Sequence, residues 1–127
     1  MYTDEQIQAE YDRTYNMYHK PKPVKKKHPE RNIRDKIQQY LKSIGAMTIN
    51  TPAGLVTVEG RTFRVGEEGR ADLHCCLRGK WISIETKAPG KKPTTAQLHY
   101  RDRVVAAGGI WIKGDSVDAV RAVLEAL

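Results

Sequence analysis

The segment 69–87, GRADLHCCLRGKWISIETK, constrains this chain more than any other stretch. Two short apolar runs, 71–77 and 81–87, flank Arg78-Gly79, a natural two-residue hairpin turn. If Leu77 pairs with Lys80, the whole register follows and Asp72 falls opposite Glu85. Side chains alternate between the faces of a strand. Leu73, Cys75, Leu77, Ile82 and Ile84 therefore share one face, which reads as core. Asp72, His74 and Cys76 share the other with Trp81, Ser83, Glu85 and Lys87. That face gathers two carboxylates and an amine on an otherwise apolar hairpin.

Carboxylates directly opposed across two strands lie only ~5 Å apart at Cβ and repel each other. Without a counter-ion, one is driven toward protonation. A divalent cation removes the conflict, and Mg²⁺ is commonly held by one or two carboxylates completed by water and phosphate oxygens. Lys87 points to the same side as Glu85, where it can orient a water or neutralise charge on a phosphate. The plainer alternative is a cross-strand ion pair on a solvated face.

Composition narrows the partner. The chain has 127 residues, room for one core, with a net charge of +7 and a pI of about 9.5. A basic excess of this size favours an anionic partner, most commonly nucleic acid. No apolar run reaches the length of a membrane span, and the polar, acidic start MYTDEQIQAEYD is unlike a signal peptide. Cys75 and Cys76 are adjacent and face opposite ways in a strand, which disfavours a structural disulfide. No further cysteine or histidine cluster completes a zinc site. A reducing cytoplasm is the expected compartment.

Two regions are expected: 1–29, a helix and basic linker, and 30–127, the main domain. Thr3 and Gln6 form a capping-box pattern for a helix to about residue 19, with Ile7, Tyr11, Tyr15 and Tyr18 on one stripe. The stripe reads as a packing surface, in cis or against another subunit. The linker KPKPVKKKHP carries three prolines and five lysines, among them Lys25, Lys26 and Lys27. Residues 30–44 form a helix with Ile33, Ile37, Tyr40, Leu41 and Ile44 inward and Gly45 as its stop. A strand at 47–50 follows, then a hairpin of 55–58 and 62–65 around Gly60, then the 71–87 hairpin. Thr94 or Thr95 caps a helix to about 107, 110–113 is a strand, and Ser116 caps a last helix to 127. Val117, Val120, Val123, Leu124 and Leu127 are expected to face inward there. The order gives an α/β fold, a mixed sheet flanked by helices, with an N-terminal helical extension.

Gly69-Arg70-Ala71-Asp72, then Glu85-Thr86-Lys87, then Gln97, with Glu30 in an early helix, resembles the VRR-NUC branch of the PD-(D/E)XK nucleases. The likeness spans roughly 30–113, although Ala71 stands where the superfamily has Pro before the Asp. It implies a restriction-endonuclease-like sheet and a DNA endonuclease that uses Mg²⁺ or Mn²⁺ and leaves a 5′-phosphate. It makes Asp72, Glu85 and Lys87 catalytic, with Glu30 and Gln97 as further members. Asp72, Glu85 and the Thr86 carbonyl would hold the metal, with Glu30 reaching it directly or through water. Gln97 would hold Lys87 or a phosphate. Compact relatives resemble Holliday-junction resolvases and are often phage-encoded. Branched DNA as substrate, a homodimer and the cytoplasm of a bacterial host are therefore expected. Arg70, Lys91, Lys92, Arg101 and Arg103 join Lys25, Lys26 and Lys27 as candidate phosphate contacts. A restriction-like or flap nuclease is the alternative among enzymes, and a non-catalytic basic DNA-binding protein the alternative outside them.

Overall fold

The computed structural model describes residues 1–18 and 28–127. Helix α1 (Asp4–Tyr18) leads, followed by α2 (Pro29–Ser43), β1 (Met47–Asn50), β2 (Gly54–Val58), β3 (Arg61–Val65), β4 (Leu73–Leu77) and β5 (Lys80–Thr86). Helix α3 (Thr95–Ala106), β6 (Ile110–Gly114) and α4 (Val117–Glu125) complete the chain. The linker, with Lys25, Lys26 and Lys27, lies outside the described residues.

Four strands form one mixed sheet in the order β1-β4-β5-β6, with only β5 and β6 parallel. The β4–β5 turn places Arg78 and Gly79 both at positive φ (51° and 76°), as a type I′ turn requires. Leu77 pairs with Lys80 and Leu73 with Ile84, the register expected from sequence. The ladder nevertheless starts at Leu73, so Asp72 sits one residue outside it rather than within a strand beginning at 71.

Leu73, Cys75, Leu77, Ile82 and Ile84 form the core with Ile37 and Leu41 of α2 and Val120 and Leu124 of α4. Gly45 closes α2 at φ 86°: its amide reaches Lys42 O while that of Ala46 reaches Leu41 O, a Schellman ending. In α4 the inward stripe is narrower than expected. Val123 is exposed because it lies at the margin of the face that carries Val117, Val120 and Leu124, and Leu127 because the helix ends at Glu125, before it.

The opposite sheet face is covered as well. Helix α3 packs on β5 and β6, and His74, Ser83 and Glu85 are buried beneath it at 2%, 0% and 5% exposure. The half over β1 remains open, with Met47, Ile49 and Trp81 exposed. Strands β2 and β3 form a separate two-stranded ribbon that packs, among the described residues, against no other element. Among the described residues α1 likewise packs against no other element. Ile7 and Tyr11 are exposed, and Tyr11 stacks on Tyr15.

Candidate active site

Asp72 and Glu85 converge at the end of the sheet where β4 begins and β5 ends. From its bend, Asp72 turns its Oδ1 inward to accept the Thr86 amide at 2.9 Å. This bond fixes the first acid beside the residue that follows the second. Burial raises the Asp72 pKa, opposed by the Thr86 hydrogen bond and by the positive charge of Arg34. Glu85 is pushed up to about 8, chiefly by burial, then by the Asp72 charge, with Lys87 pulling down and Glu30 adding to the rise.

The two oxygens of Glu85 are used differently. Oε1 accepts from Gln97 Nε2 at 2.9 Å and lies 3.8 Å from Lys87 Nζ. Oε2 is buried with no hydrogen-bond partner. Such an orphan acceptor is costly unless something binds it. Gln97 is itself locked by a reciprocal cap: its amide donates to Thr94 Oγ1, and its own Oε1 accepts from the Thr94 amide at 2.8 Å. Gln97 therefore grips Glu85, where the resemblance implied Lys87 or a phosphate.

Close approach of α3 makes this possible. Gly69 has φ 79°, and a Cβ there would stand 2.2 Å from the Ala96 carbonyl oxygen, so only glycine lets the loop pass under the helix. Further along, Tyr100 OH contacts His74 Nε2 at 2.7 Å, and His74 Nδ1 contacts Thr51 Oγ1. Thr51 Oγ1 donates its proton to Ala71 O, which leaves it to accept from Nδ1–H. Nε2 then accepts from Tyr100. His74 is thus a neutral clamp between sheet and helix, its pKa lowered by burial and secondarily by the Arg70 charge.

A cleft of about 360 Å³ opens beside Asp72, lined by His28, Pro29, Glu30, Arg31, Arg34 and Lys91. It brings Glu30 to the same place as Asp72 and surrounds the acids with cations. Arg34 and Arg31 were missed from sequence. Arg34 stands one turn after Glu30, at i+4 on α2, and that spacing was the available signal. Lys92 is exposed on the same loop as Lys91. Arg70 spends its guanidinium on the Thr51 and Pro52 carbonyls, Arg101 on Asp102 and the Trp111 ring, and Arg103 on Glu67. A larger cleft of about 560 Å³ lies by Trp81 and the end of α3, but it holds no pair of acids.

The donor set suits a divalent cation: a half-buried Asp72 and a buried Glu85, both of raised pKa, the latter with an oxygen left over. Among the described residues no three His, Cys, Asp or Glu side chains form a ready-made ligand cluster.

No family profile matches the chain, and no curated protein does. Solved structures do match. One, described as a VRR_NUC domain, is similar over 78% of this chain and 97% of its own length, with 22% identity and a TM-score of 0.58. The likeness is one of fold, a mixed sheet flanked by helices, as the sequence resemblance implied.

Proposed function

We propose that this chain is a Mg²⁺- or Mn²⁺-dependent DNA endonuclease that hydrolyses phosphodiester bonds in branched DNA as a homodimer. The observation that carries the reading is the buried, unpartnered Oε2 of Glu85, on a carboxylate whose other oxygen lies near Lys87 and which feels the charge of Asp72, itself part of the lining of a cation-rich cleft. A purely structural cross-strand ion pair would leave no such acceptor in need of a cation.

Asp72 and Glu85 would hold the metal, with the Thr86 carbonyl as a further ligand and Glu30 acting through water. When bound, the ion supplies Lewis-acid stabilisation of charge on the phosphate. Gln97 keeps Glu85 Oε1 in place, so that Oε2 presents to the ion in one orientation. Lys87, largely buried, donates to the attacking water or to a non-bridging phosphate oxygen as the leaving oxygen departs. Arg31, Arg34 and Lys91 would hold the flanking phosphates. Water adds to phosphorus and the P–O3′ bond breaks, giving a 5′-phosphate and a 3′-hydroxyl.

The test is cleavage of end-labelled single strands, duplexes, flaps and four-way junctions with and without Mg²⁺. Metal-dependent cutting that disappears in Asp72→Asn, with the fold intact, is the expected result. Metal-dependent binding or cutting that ignores this substitution would remove the reading. DNA binding with no cutting on any substrate would leave a basic DNA-binding protein.

A further inference from the structure

We infer that the β2–β3 ribbon is a DNA-engaging arm, inserted in a groove of the duplex beside the cut phosphodiester. The inference deepens the nuclease reading and rests on it for the identity of the partner.

The ribbon is unusual in exposing both of its faces. Its register pairs Val56 with Phe63, Thr57 with Thr62 and Leu55 with Arg64. Val56, Val58, Phe63 and Val65 therefore share one face with Arg61, while Thr57, Thr62 and Arg64 share the other with Leu55. Val56, Val58, Phe63, Val65 and Leu55 are all 40% exposed or more. Here arginines stand on both faces, with one acid, Glu59, in the tip turn. A two-stranded ribbon has the width of the DNA major groove and meets its walls on both sides. The apolar face supplies contacts for thymine methyls or for exposed base steps at a branch.

The root of the arm fixes its place. The Thr51 amide donates to the Asp72 carbonyl at 2.8 Å, so the strand leading into the ribbon is bonded to a candidate metal ligand. Arg70 clasps both ends. It donates to Thr51 O at 3.1 Å and Pro52 O at 2.9 Å, and its guanidinium passes so close under Gly66 that a Cβ there would meet Nη2 at 2.5 Å. The arm is thus aimed from a rigid base next to the cation-lined cleft. A macromolecule held at Asp72 is the partner within its reach, and DNA matches its charge.

Binding of the full chain to fluorescent duplex and four-way junction, in chelator and over a salt series, tests this. Arg61→Ala/Arg64→Ala should weaken binding about tenfold near 0.1 M salt and reduce the slope of log affinity against log salt by about two. Arg61→Lys/Arg64→Lys should restore the slope. Phe63→Ser should weaken junction binding at least threefold and leave the slope alone. Melting temperatures should stay at the parent value, since the ribbon packs on no other element. Unchanged affinity and slope in the alanine and serine variants would overturn the inference. So would loss of a dimer in these variants with the slope intact, which would make the ribbon a contact between copies. A parent chain that binds no DNA would remove the inference and the nuclease reading together. Binding that follows the predicted pattern without metal-dependent cutting would remove only the nuclease reading.

Discussion

Glu85 is held where its charge is costly, and that cost is measurable. Its pKa is about 8 in the fold against 4.5 for an ordinary glutamate. Below about pH 4.5 the folded and unfolded chains are both protonated at this site and the full stability is present. As pH rises from 4.5 to 8 the unfolded chain releases the proton while the folded chain keeps it, so stability falls, by on the order of 5 kcal/mol. Glu85→Gln keeps an oxygen for Gln97 and cannot ionise. In chelator its melting temperature should match the parent near pH 5 and exceed it near pH 9 by on the order of 10 °C, as thermal unfolding followed by circular dichroism would read. Parallel curves for parent and variant would mean that Glu85 titrates like a surface acid. Added Mg²⁺ should recover the parent's loss at high pH, since binding requires the carboxylate. Lys87 makes a different contribution. It is one of 22 basic residues, so Lys87→Ala should keep DNA affinity nearly intact. A single donor to the reacting phosphate can be worth ~3–4 kcal/mol, so its single-turnover rate should drop by about 10²–10³. A variant that lost affinity and kept its rate would make Lys87 a phosphate clamp instead.

At the scale of elements, the site depends on how closely α3 lies on the sheet. Gly69→Ala places a methyl against the Ala96 carbonyl and demands positive φ from a residue with a Cβ. It should cost about 2–4 kcal/mol in urea unfolding. It should also lower metal-dependent cleavage well below the melting temperature, because displacing α3 separates Gln97 from Glu85. Stability at the parent value would show that the loop can move aside. Whatever depends on near neighbours could be read from the chain itself. The Arg78-Gly79 turn set the β4–β5 register, Thr94-Thr95 marked the start of α3, and Ile37, Leu41 and Gly45 set α2 and its end. The acid pair followed from that register. Contacts made by the fold alone were out of reach. Nothing local says that α3 lies over His74, Ser83 and Glu85 and buries that part of the site face. Tyr100 on His74, Gln97 on Glu85 and Arg34 near Asp72 join residues 12 to 38 positions apart, and the helix partner in each pair alone reads as an ordinary surface group. Asp72 leaves the ladder because its Oδ1 turns in to the Thr86 amide, a local choice that alternation along a strand cannot predict.

The whole molecule leaves large apolar side chains uncovered: Ile7 and Tyr11 on α1, and Met47, Ile49 and Trp81 over the open half of the sheet. Exposed apolar surface that is contiguous, as on the sheet, is uncommon on a lone domain and marks a contact. Under the proposed reading, the Asp72–Glu85 pair of one chain would serve one strand. Resolution of a four-way junction needs two matched cuts, and a two-fold dimer supplies both in one particle. Bringing two +7 chains together costs repulsion that apolar contact must offset and salt must relieve. The expected outcome in light scattering is therefore a dimer that tightens as salt is raised from about 0.05 to 0.3 M, the reverse of the trend for DNA affinity. Trp81→Ser should shift it toward monomer if the open sheet face is the contact, and deletion of residues 1–18 should do so if α1 is. A dimer of this kind should cut junctions in paired, symmetric nicks and linear duplex more slowly. A chain that stays monomeric throughout this range and cuts linear and four-way DNA alike would be a simple nicking nuclease, its exposed sheet face serving some other contact.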